Sequence, residues 1–255
     1  MTQSLHSMSR LRVALGTFVA IDAEASNPAD AERGVAAAFA AISAVERLMH
    51  PTRRGSDLAA LAACPIGTPV TVHAWTFEVL ELCQVLHRLS QGIFDPCLDT
   101  ASGRMCDLEL TAQRSVVPHA ALRVDLGGIA KGFAVDRAIL ALRAQGCEGG
   151  LVNAGGDLAV FGERSRTLIC HSGPRAAAVV LNNAALATSD AQQASRPAEH
   201  RGYYHGVDRS AAVFGHITVT AAQAAVADGL TKCLLPGDGA LCATLLDAFG
   251  ARQIR

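Results

Sequence analysis

The sequence predicts one domain of mixed α and β structure. Its 255 residues are 50% apolar and 18% charged, a composition typical of a globular chain with a sizeable buried core. Segments with helical periodicity are interspersed with short runs that resemble β-strands. The chain shows neither an internal repeat nor a low-complexity linker, so nothing in it indicates a division into two domains.

Helices are predicted where apolar residues recur at spacings of three and four. The first spans residues 29–49, and its apolar face carries Val35, Phe39, Ile42, Val45 and Met49. A short helix begins after Ser56, a residue type that caps helix N-termini. Further helices are predicted at 75–90, 131–145, 221–235 and 240–248.

Strands are predicted where β-branched residues and alternation replace the helical pattern. These segments are 70–72, part of 149–161, 168–171, 177–181 and 216–220. The stretch 94–118 is predicted to be rich in loops, and 189–209 to be polar and irregular.

The apolar run 13–21 has two interpretations. Its Val, Ile, Phe and Thr residues are typical of a first β-strand. It also follows Arg10 and Arg12 and precedes Ala23-Glu24-Ala25, as in a short signal peptide with its cleavage site. The pattern alone leaves both open.

The composition excludes several classes of function. Lys and Arg number 22 and Asp and Glu 23, so a net charge of −1 provides no basic surface for nucleic acid or a membrane. No apolar run reaches the roughly 18 residues of a membrane span. The eight cysteines form no C-x-x-C pair and are predicted to be buried, reduced thiols of a cytoplasmic protein.

The strongest local motif runs from Val124 to Asp136 and is predicted to form a strand, a glycine turn and a helix. Gly127 and Gly128 let the backbone approach a ligand, and the helix N-terminus with Lys131 would attract an anion. A phosphate or nucleotide site and a plain structural turn are both compatible with this motif, since it is neither a Walker loop nor a G-x-G-x-x-G fingerprint.

Three weaker motifs follow. Asn153-Ala154-Gly155-Gly156-Asp157 is predicted to be a bulge or hairpin corner. Asp228 and Thr231 share a helix face and provide oxygen ligands of the kind Mg²⁺ prefers, although such a pair is more often a local hydrogen bond. The stretch 203–209 combines a base, His205, with a carboxylate and a cation in an irregular segment.

Taken in order, these motifs resemble the ApbE family, the FAD:protein FMN transferases. The resemblance runs from residue 15 to about 235. It rests on the 124–136 motif and on Leu15-Gly16-Thr17, Ser56-Asp57-Leu58, Gly92-Ile93-Phe94-Asp95-Pro96, Asn153-Ala154-Gly155-Gly156-Asp157, Ala187-Thr188-Ser189 and Ala227-Asp228-Gly229-Leu230-Thr231.

The resemblance implies an α+β fold over residues 11–250, with a mixed, mainly antiparallel sheet packed with helices. It also implies Mg²⁺-dependent transfer of FMN from FAD to a threonine or serine hydroxyl of an acceptor flavoprotein, with release of AMP. Two alternatives remain: an FAD-binding protein with weak or no transferase activity, and a Mg²⁺-dependent FAD pyrophosphatase.

The resemblance also assigns residues to roles. The implied FAD contacts are Leu15, Gly16, Thr17, Ile93, Phe94, Asp95, Asp125, Lys131 and His205. The implied Mg²⁺ ligands are the backbone carbonyl of Gly128 and the side chains of Asp228 and Thr231. Asp228 is thereby assigned to catalysis, and His205 is the proposed base for the acceptor hydroxyl.

Three positions depart from the family pattern. Arg209 stands where a proline is usual, and Asp190 stands where a glycine follows Ala-Thr-Ser. Lys232 lies four residues after Asp228, where threonine is common, and its ammonium would compete with Mg²⁺ or replace part of its charge.

The resemblance bears on the N-terminus as well. Cleavage after Ala25 would remove a core strand of such a fold, which favours an uncleaved cytoplasmic protein. A periplasmic location is the alternative if a signal segment is missing from this start or masked in it.

Overall fold

A seven-stranded antiparallel sheet forms the centre of the fold. The computed structural model describes residues 5–98, 100–172, 175–190 and 215–254. Its elements are β1 (His6–Ala14), β2 (Thr17–Ala25), α1 (Pro28–Leu48), α2 (Asp57–Ala63), β3 (Val70–Thr71), α3 (Ala74–Leu89), β4 (Leu108–Leu110), β5 (Ser115–Pro118), α4 (Ala130–Ala144), β6 (Gly149–Ala154), β7 (Asp157–Phe161), β8 (Arg166–Ser172), β9 (Arg175–Leu181), β10 (Ala185–Asp190), β11 (His216–Ala221), α5 (Ala224–Leu234), α6 (Gly239–Phe249) and β12 (Arg252–Ile254).

The large sheet has the strand order β1-β2-β6-β7-β10-β11-β12, and every neighbouring pair is antiparallel. The helices α1, α4 and α5 lie side by side against successive strand pairs of this sheet. The hairpin β8-β9 packs apolar side chains onto the opposite face of β7 and β10. This arrangement confirms the predicted α+β class with a mainly antiparallel sheet.

Strand β2 shows how the sequence builds this core. Its residues Val19, Ile21, Ala23 and Ala25 are completely buried, while the residues between them are partly exposed. Because successive side chains of a strand point to opposite faces, this alternation turns one face of β2 towards the helices. For residues 17–21, the interpretation as part of a strand is therefore confirmed.

Helix α1 illustrates how local signals set helix boundaries. The side chain of Asn27 accepts a hydrogen bond from the backbone N–H of Asp30 at 2.9 Å, and Pro28 is the first helical residue. A proline is favourable there because the N–H it lacks has no partner in the first turn of a helix. The prediction of 29–49 differs from the observed helix by one residue at each end.

Helix α5 differs from the other helices because all of its residues are buried. It contacts α3, α4 and α6 as well as β7, β10 and β11. A helix enclosed on every side usually has apolar residues all around, yet α5 carries the buried polar residues Asp228, Thr231 and Lys232.

Three predictions about strands and loops are wrong, and one helix begins later than predicted. The run 13–21 is not one strand but the end of β1, a two-residue turn and the start of β2. Leu15 and Gly16 form this turn with φ values of 54° and 69°. Positive φ at both turn positions is what a tight hairpin needs, since its twist then matches that of the strands.

The other two differences concern regions expected to be irregular. The segment 94–118 contains β4 and β5, and the segment 185–190 forms strand β10, whose last residues were placed in an irregular stretch. Helix α5 begins at Ala224, three residues later than predicted, because Ala221 is still paired in β11.

Of the helices in the described ranges, none combines the length and apolar character needed to cross a bilayer. The cytoplasmic location stays a prediction from the sequence, as do the domain limits of 11–250.

Asp136 joins α4 to α5 and makes stability depend on pH. Its two carboxylate oxygens accept the N–H groups of Ala224 and Ala225 at 2.8 and 2.9 Å. Burial raises its pKa from 3.8 to about 6, and these hydrogen bonds offset the shift only in part.

Because this pKa is higher in the folded than in the unfolded chain, the folded protein binds the extra proton between about pH 4 and 6. The contribution of Asp136 to stability is then complete below about pH 4 and is lost as the pH rises through about 6. We expect Asp136→Asn to remove roughly 1–3 kcal/mol of pH dependence from the free energy of unfolding over this window, measured by urea denaturation. Equal pH slopes for variant and wild type would contradict this prediction.

Candidate functional site

Two hairpin turns touch each other at one end of the large sheet. They are residues 15–16, between β1 and β2, and residues 155–156, between β6 and β7. Antiparallel pairing of β2 with β6 places both turns at the same end. A Cβ added to Gly155 would lie 2.5 Å from Thr17 Oγ1, so only a glycine permits this approach. The predicted hairpin corner at 153–157 is thereby confirmed.

The end of β10 joins these turns. Leu186 pairs with Leu158 of β7, so Ser189 and Asp190 extend past the start of β7. Ser189 is buried. We call residues 15–17, 153–157 and 188–190 together the loop end of the sheet.

The glycine turn leads into α4 as the sequence predicts, but the strand predicted before it is wrong, since Val124 forms only a single β-bridge with Cys97. The side chain of Asp125 accepts the N–H of Gly127 at 2.8 Å, and the carbonyl of Leu126 accepts the N–H of Ala130 at 2.7 Å. Helix α4 begins at Ala130, which places Lys131 in its first turn. Free N–H groups and a lysine at this position attract an anion.

Lys131 connects α4 to the loop end of the sheet. Its ammonium is hydrogen-bonded to Oδ2 of Asp157, the first residue of β7. The Lys131 side chain is 32% exposed and that of Asp157 only 1%, so a ligand in solvent can reach the lysine but not the aspartate. The pair therefore holds a partly exposed positive charge beside a helix N-terminus.

Asp157 carries a perturbed carboxyl group. Its pKa is raised to about 6, mainly by burial and in addition by the nearby carboxylate of Asp228, whereas Lys131 and Lys232 lower it. Its Oδ1 atom is buried without a hydrogen-bond partner in the described part of the chain. The two aspartates thus feel each other's charge, and the two lysines compensate for it.

Asp228 lies completely buried on α5 and is held from both sides. Its Oδ1 accepts a hydrogen bond from Lys232 Nζ at 2.6 Å. Its Oδ2 accepts one from the backbone N–H of Gly132 at 3.2 Å, in the first turn of α4. A Cβ on Gly132 would collide with the carbonyl of Ala224, so α4 and α5 meet at this glycine. Asp228 is therefore tied to the glycine turn that the sequence singled out.

Lys232 completes a closed network of hydrogen bonds. Besides Asp228, its Nζ lies 2.7 Å from Ser189 Oγ and 2.9 Å from Thr231 Oγ1. The hydroxyl oxygens of Ser189 and Thr231 are 2.7 Å apart, and Thr231 donates its hydroxyl proton to the carbonyl of Asp228 at 2.6 Å. The end of β10 and one turn of α5 are thereby joined through a lysine.

The segment around Phe94 and Asp95 lies next to the glycine turn. The carbonyl of Pro96 accepts the N–H of Asp125 at 2.9 Å. Asp95 Oδ1 accepts the N–H groups of Cys97 and Met105 at 2.9 and 3.3 Å, which shapes this loop. The Phe94 side chain is only 1% exposed and belongs to the core, so the structure gives these residues a role in folding.

The predicted site residues divide into three groups. Asp228 and Thr231 belong to the network of Lys232, Lys131 pairs with Asp157 next to it, and Gly128 is buried in the adjoining turn. Leu15, Gly16 and Thr17 lie at the loop end, whereas the buried side chains of Ile93 and Phe94 leave mainly backbone for a ligand. His205 falls outside the described residues. The FAD contacts of all these residues stay predictions.

Ser189 had no predicted role, and for Lys232 the prediction was only that its ammonium would compete with Mg²⁺ or replace part of its charge. The amino-acid composition contains a signal that points to Lys232, namely the rarity of lysine in this chain. The 22 basic residues comprise 20 arginines and only two lysines, Lys131 and Lys232. Both lie at the candidate site, and each is paired with a buried aspartate.

The donors predicted for Mg²⁺ do not fit that ion as they stand. Lys232 Nζ lies within hydrogen-bond distance of both predicted side-chain ligands, Asp228 and Thr231. An ammonium has no lone pair and repels a second cation, so it blocks the ligands it contacts. Within the described ranges, no group of three or more His, Cys, Asp and Glu residues is placed to hold a metal.

The fold and site define an α+β protein with two lysine–aspartate pairs, one of them buried and one partly exposed, beside a helix N-terminus. Residues 15–240 match the model of the ApbE family, so the chain belongs to that family. A similar curated protein is the FAD:protein FMN transferase of Treponema pallidum (strain Nichols), 27% identical over 186 residues. The match covers 60% of this chain and 51% of that protein, so the chain spans about half the length of this relative.

Solved structures share the fold. The flavinyl transferase ApbE of Pseudomonas stutzeri, in its apo form, superimposes with a TM-score of 0.82 at 18% identity, over 98% of this chain and 90% of that one. The flavin transferase ApbE of Vibrio cholerae gives 0.80 at 18% identity, over 98% and 93%. The ApbE protein of Thermotoga maritima gives 0.82 at 20% identity, over 97% and 93%.

Proposed function

We propose that this protein transfers FMN from FAD to a threonine or serine hydroxyl of an acceptor flavoprotein and releases AMP. Membership of the ApbE family and the similarity to a curated FAD:protein FMN transferase support the reaction. The observation that carries the proposal is Lys131. Its partly exposed ammonium sits in the first turn of α4, beside the glycine turn, in the position suited to a pyrophosphate.

In the proposed reaction the acceptor oxygen attacks the phosphorus of the FMN half of FAD. The bond between that phosphorus and the bridging oxygen breaks, and AMP leaves with the bridging oxygen. Negative charge grows on the phosphate oxygens as this bond breaks, and a fixed cation stabilises that charge. Lys131 provides one such cation, and Asp157 keeps it in place.

The acceptor hydroxyl must lose its proton during the attack. His205 is our proposed base, from its place in the 203–209 motif, because imidazole accepts a proton near neutral pH. We expect His205→Ala to reduce the rate of transfer by about 100-fold or more with little change in FAD affinity. A variant that transfers FMN at the wild-type rate would remove His205 from the mechanism.

Mg²⁺ is the cofactor expected from the family resemblance. The contacts of Lys232 with Asp228 and Thr231 give this expectation no support. The proposal therefore contains no step through a metal ion.

Mass spectrometry tests the proposed function directly. The purified protein, FAD and a panel of acceptor domains with threonine or serine attachment sites are incubated together, and the acceptors are analysed intact. The expected result is a covalent FMN adduct on one acceptor and an equal amount of AMP. Bound FAD with no adduct and no AMP would indicate a binding protein without transfer activity.

An assay for AMP release without any acceptor distinguishes a transferase from an FAD pyrophosphatase. Water would then replace the hydroxyl, and the products would be free FMN and AMP, as for a pyrophosphatase. If adding an acceptor makes protein-bound FMN appear in place of an equal amount of free FMN, at the same total AMP yield, transfer and hydrolysis share one site.

A further inference from the structure

We infer that the ammonium of Lys232 is the built-in cation of this site and takes the place of the divalent metal ion expected between Asp228 and Thr231. FAD binding to this chain is then independent of Mg²⁺. The choice of FAD as the ligand rests on the proposed function, but the position of the ammonium does not.

Counting protons shows that the network is complete with a charged lysine. An ammonium has three N–H donors, and Asp228 Oδ1, Ser189 Oγ and Thr231 Oγ1 lie 2.6, 2.7 and 2.9 Å from Nζ. Thr231 donates its own proton to the carbonyl of Asp228, which leaves Ser189 to donate to Thr231. Every donor of the lysine and of both hydroxyls then has an acceptor, and both side-chain oxygens predicted to bind Mg²⁺ already contact the ammonium.

Charge balance supports the same conclusion. The site contains two buried carboxylates, Asp157 and Asp228, and two lysines, Lys131 and Lys232. These four charges sum to zero without any ion. In the FAD-free protein, a divalent cation would leave an excess of two positive charges in a region where Lys232 is only 6% exposed. Uncompensated charge is costly where water cannot reach it.

The ammonium of Lys232 also has an advantage over a free metal ion because it is covalently part of α5. Lys232 lies one helical turn after Asp228, on the same face of α5. A tethered cation is present at a high effective concentration and loses no translational freedom when it binds. Mg²⁺ would have to displace it, give up part of its own water shell and leave the ammonium buried beside it.

The inference assigns a positioning role to Lys232, with Asp228 as its anchor. Oδ2 of Asp228 accepts the N–H of Gly132, in the same first turn of α4 as Lys131. The ammonium thus holds the carboxylate that orients the start of α4, where the pyrophosphate of FAD is proposed to bind.

Two measurements on the wild-type protein test the inference. The first titrates Mn²⁺, as a probe for divalent cations, into the FAD-free protein and follows free Mn²⁺ by electron paramagnetic resonance. The expected result is no stoichiometric binding, and one bound Mn²⁺ per chain would overturn the inference. The second measures FAD affinity by calorimetry in Mg²⁺ and in EDTA. We expect a difference below about twofold, whereas a loss of about tenfold or more in EDTA would overturn it.

Lys232→Thr provides the converse test, because it removes the ammonium and keeps an oxygen donor four residues after Asp228. The variant is expected to bind one Mn²⁺ per chain and to gain about tenfold or more in FAD affinity when Mg²⁺ is added. The matched control is Lys131→Thr, the same change at the only other lysine. It should weaken FAD binding equally in Mg²⁺ and EDTA and should bind no Mn²⁺. If a folded Lys232→Thr variant also binds no Mn²⁺, the lysine does not stand in a metal position.

The outcomes separate the inference from the proposed function. If FAD binds under no condition, the proposed function fails, and the Mn²⁺ titration of the FAD-free protein still decides the role of Lys232. If FAD binds without Mg²⁺ but is never cleaved, the inference holds and the transfer activity is refuted. If Lys232→Thr does not fold, both wild-type measurements remain decisive.

Discussion

Lys232→Met is expected to lower the free energy of unfolding by about 3–5 kcal/mol, because it leaves the completely buried carboxylate of Asp228 without its cation. Two hydroxyls, those of Ser189 and Thr231, also lose a donor. Urea denaturation at pH 7 in EDTA measures the effect. The same experiment in Mg²⁺ shows whether a divalent ion can replace the lysine, since an ion that binds only the folded protein stabilises it.

A double variant and a control variant test whether the loss of stability comes from the unpaired carboxylate of Asp228. Adding Asp228→Asn to Lys232→Met removes the unpaired charge. The double variant should recover a large part of the lost free energy of unfolding, because the destabilisation comes mainly from the buried, unpaired carboxylate. The control is Arg33→Met, which removes a cation from the exposed pair with Asp30. It should change stability by no more than about 0.5 kcal/mol. Equal losses for Lys232→Met and Arg33→Met would show that the buried pair is unimportant.

Gly132→Ala is expected to lower the free energy of unfolding by about 1–3 kcal/mol or more, and to weaken FAD binding at the same time. The added methyl group would collide with the backbone carbonyl of Ala224, which cannot rotate away as a side chain could. Helices α4 and α5 would have to separate, and the hydrogen bond from Gly132 N–H to Asp228 would lengthen. Thermal denaturation and FAD titration of the same samples measure both effects.

The matched control is Gly239→Ala, at the first residue of α6. A Cβ there has no atom within 4 Å, and the backbone is not in the left-handed region. This substitution should be neutral or stabilising by up to about 1 kcal/mol, since alanine loses less backbone entropy than glycine in a helix. If the two variants are equally stable, the close approach of α4 and α5 is not what requires glycine at position 132.

Much of the fold could be predicted because its signals are local. The periodicity of apolar residues placed α1, α3 and α4 within one residue of their observed limits at both ends. A helix repeats within a few residues, so its pattern is readable in a single window. The β1-β2 turn was not predicted, because apolar β-branched residues continue on both sides of residues 15–16 and conceal it.

The candidate site, like the fold, could be predicted only where its signals are local. The motifs that contain Lys131, Asp228 and Thr231 were recognisable in the sequence. The partners distant in sequence were not, because Asp157 lies 26 residues from Lys131 and Ser189 lies 43 residues from Lys232. Both partners lie on strands whose register depends on the whole sheet. The rarity of lysine in this chain was a signal that composition alone could have provided.

The sequence by itself determined the class of fold, the family and the residues around which a nucleotide site can form. These depend on residue types and spacings along the chain. Only the tertiary structure decided what the buried charges do. The sheet brings the end of β10 and the start of β7 to one face of α5. Because a buried charge is unfavourable without a partner, Asp157 and Asp228 each pair with a lysine there. For Asp228 that cation is Lys232: the spacing of four residues along α5 allows the pair, and burial of both side chains, which the local pattern does not encode, makes it necessary.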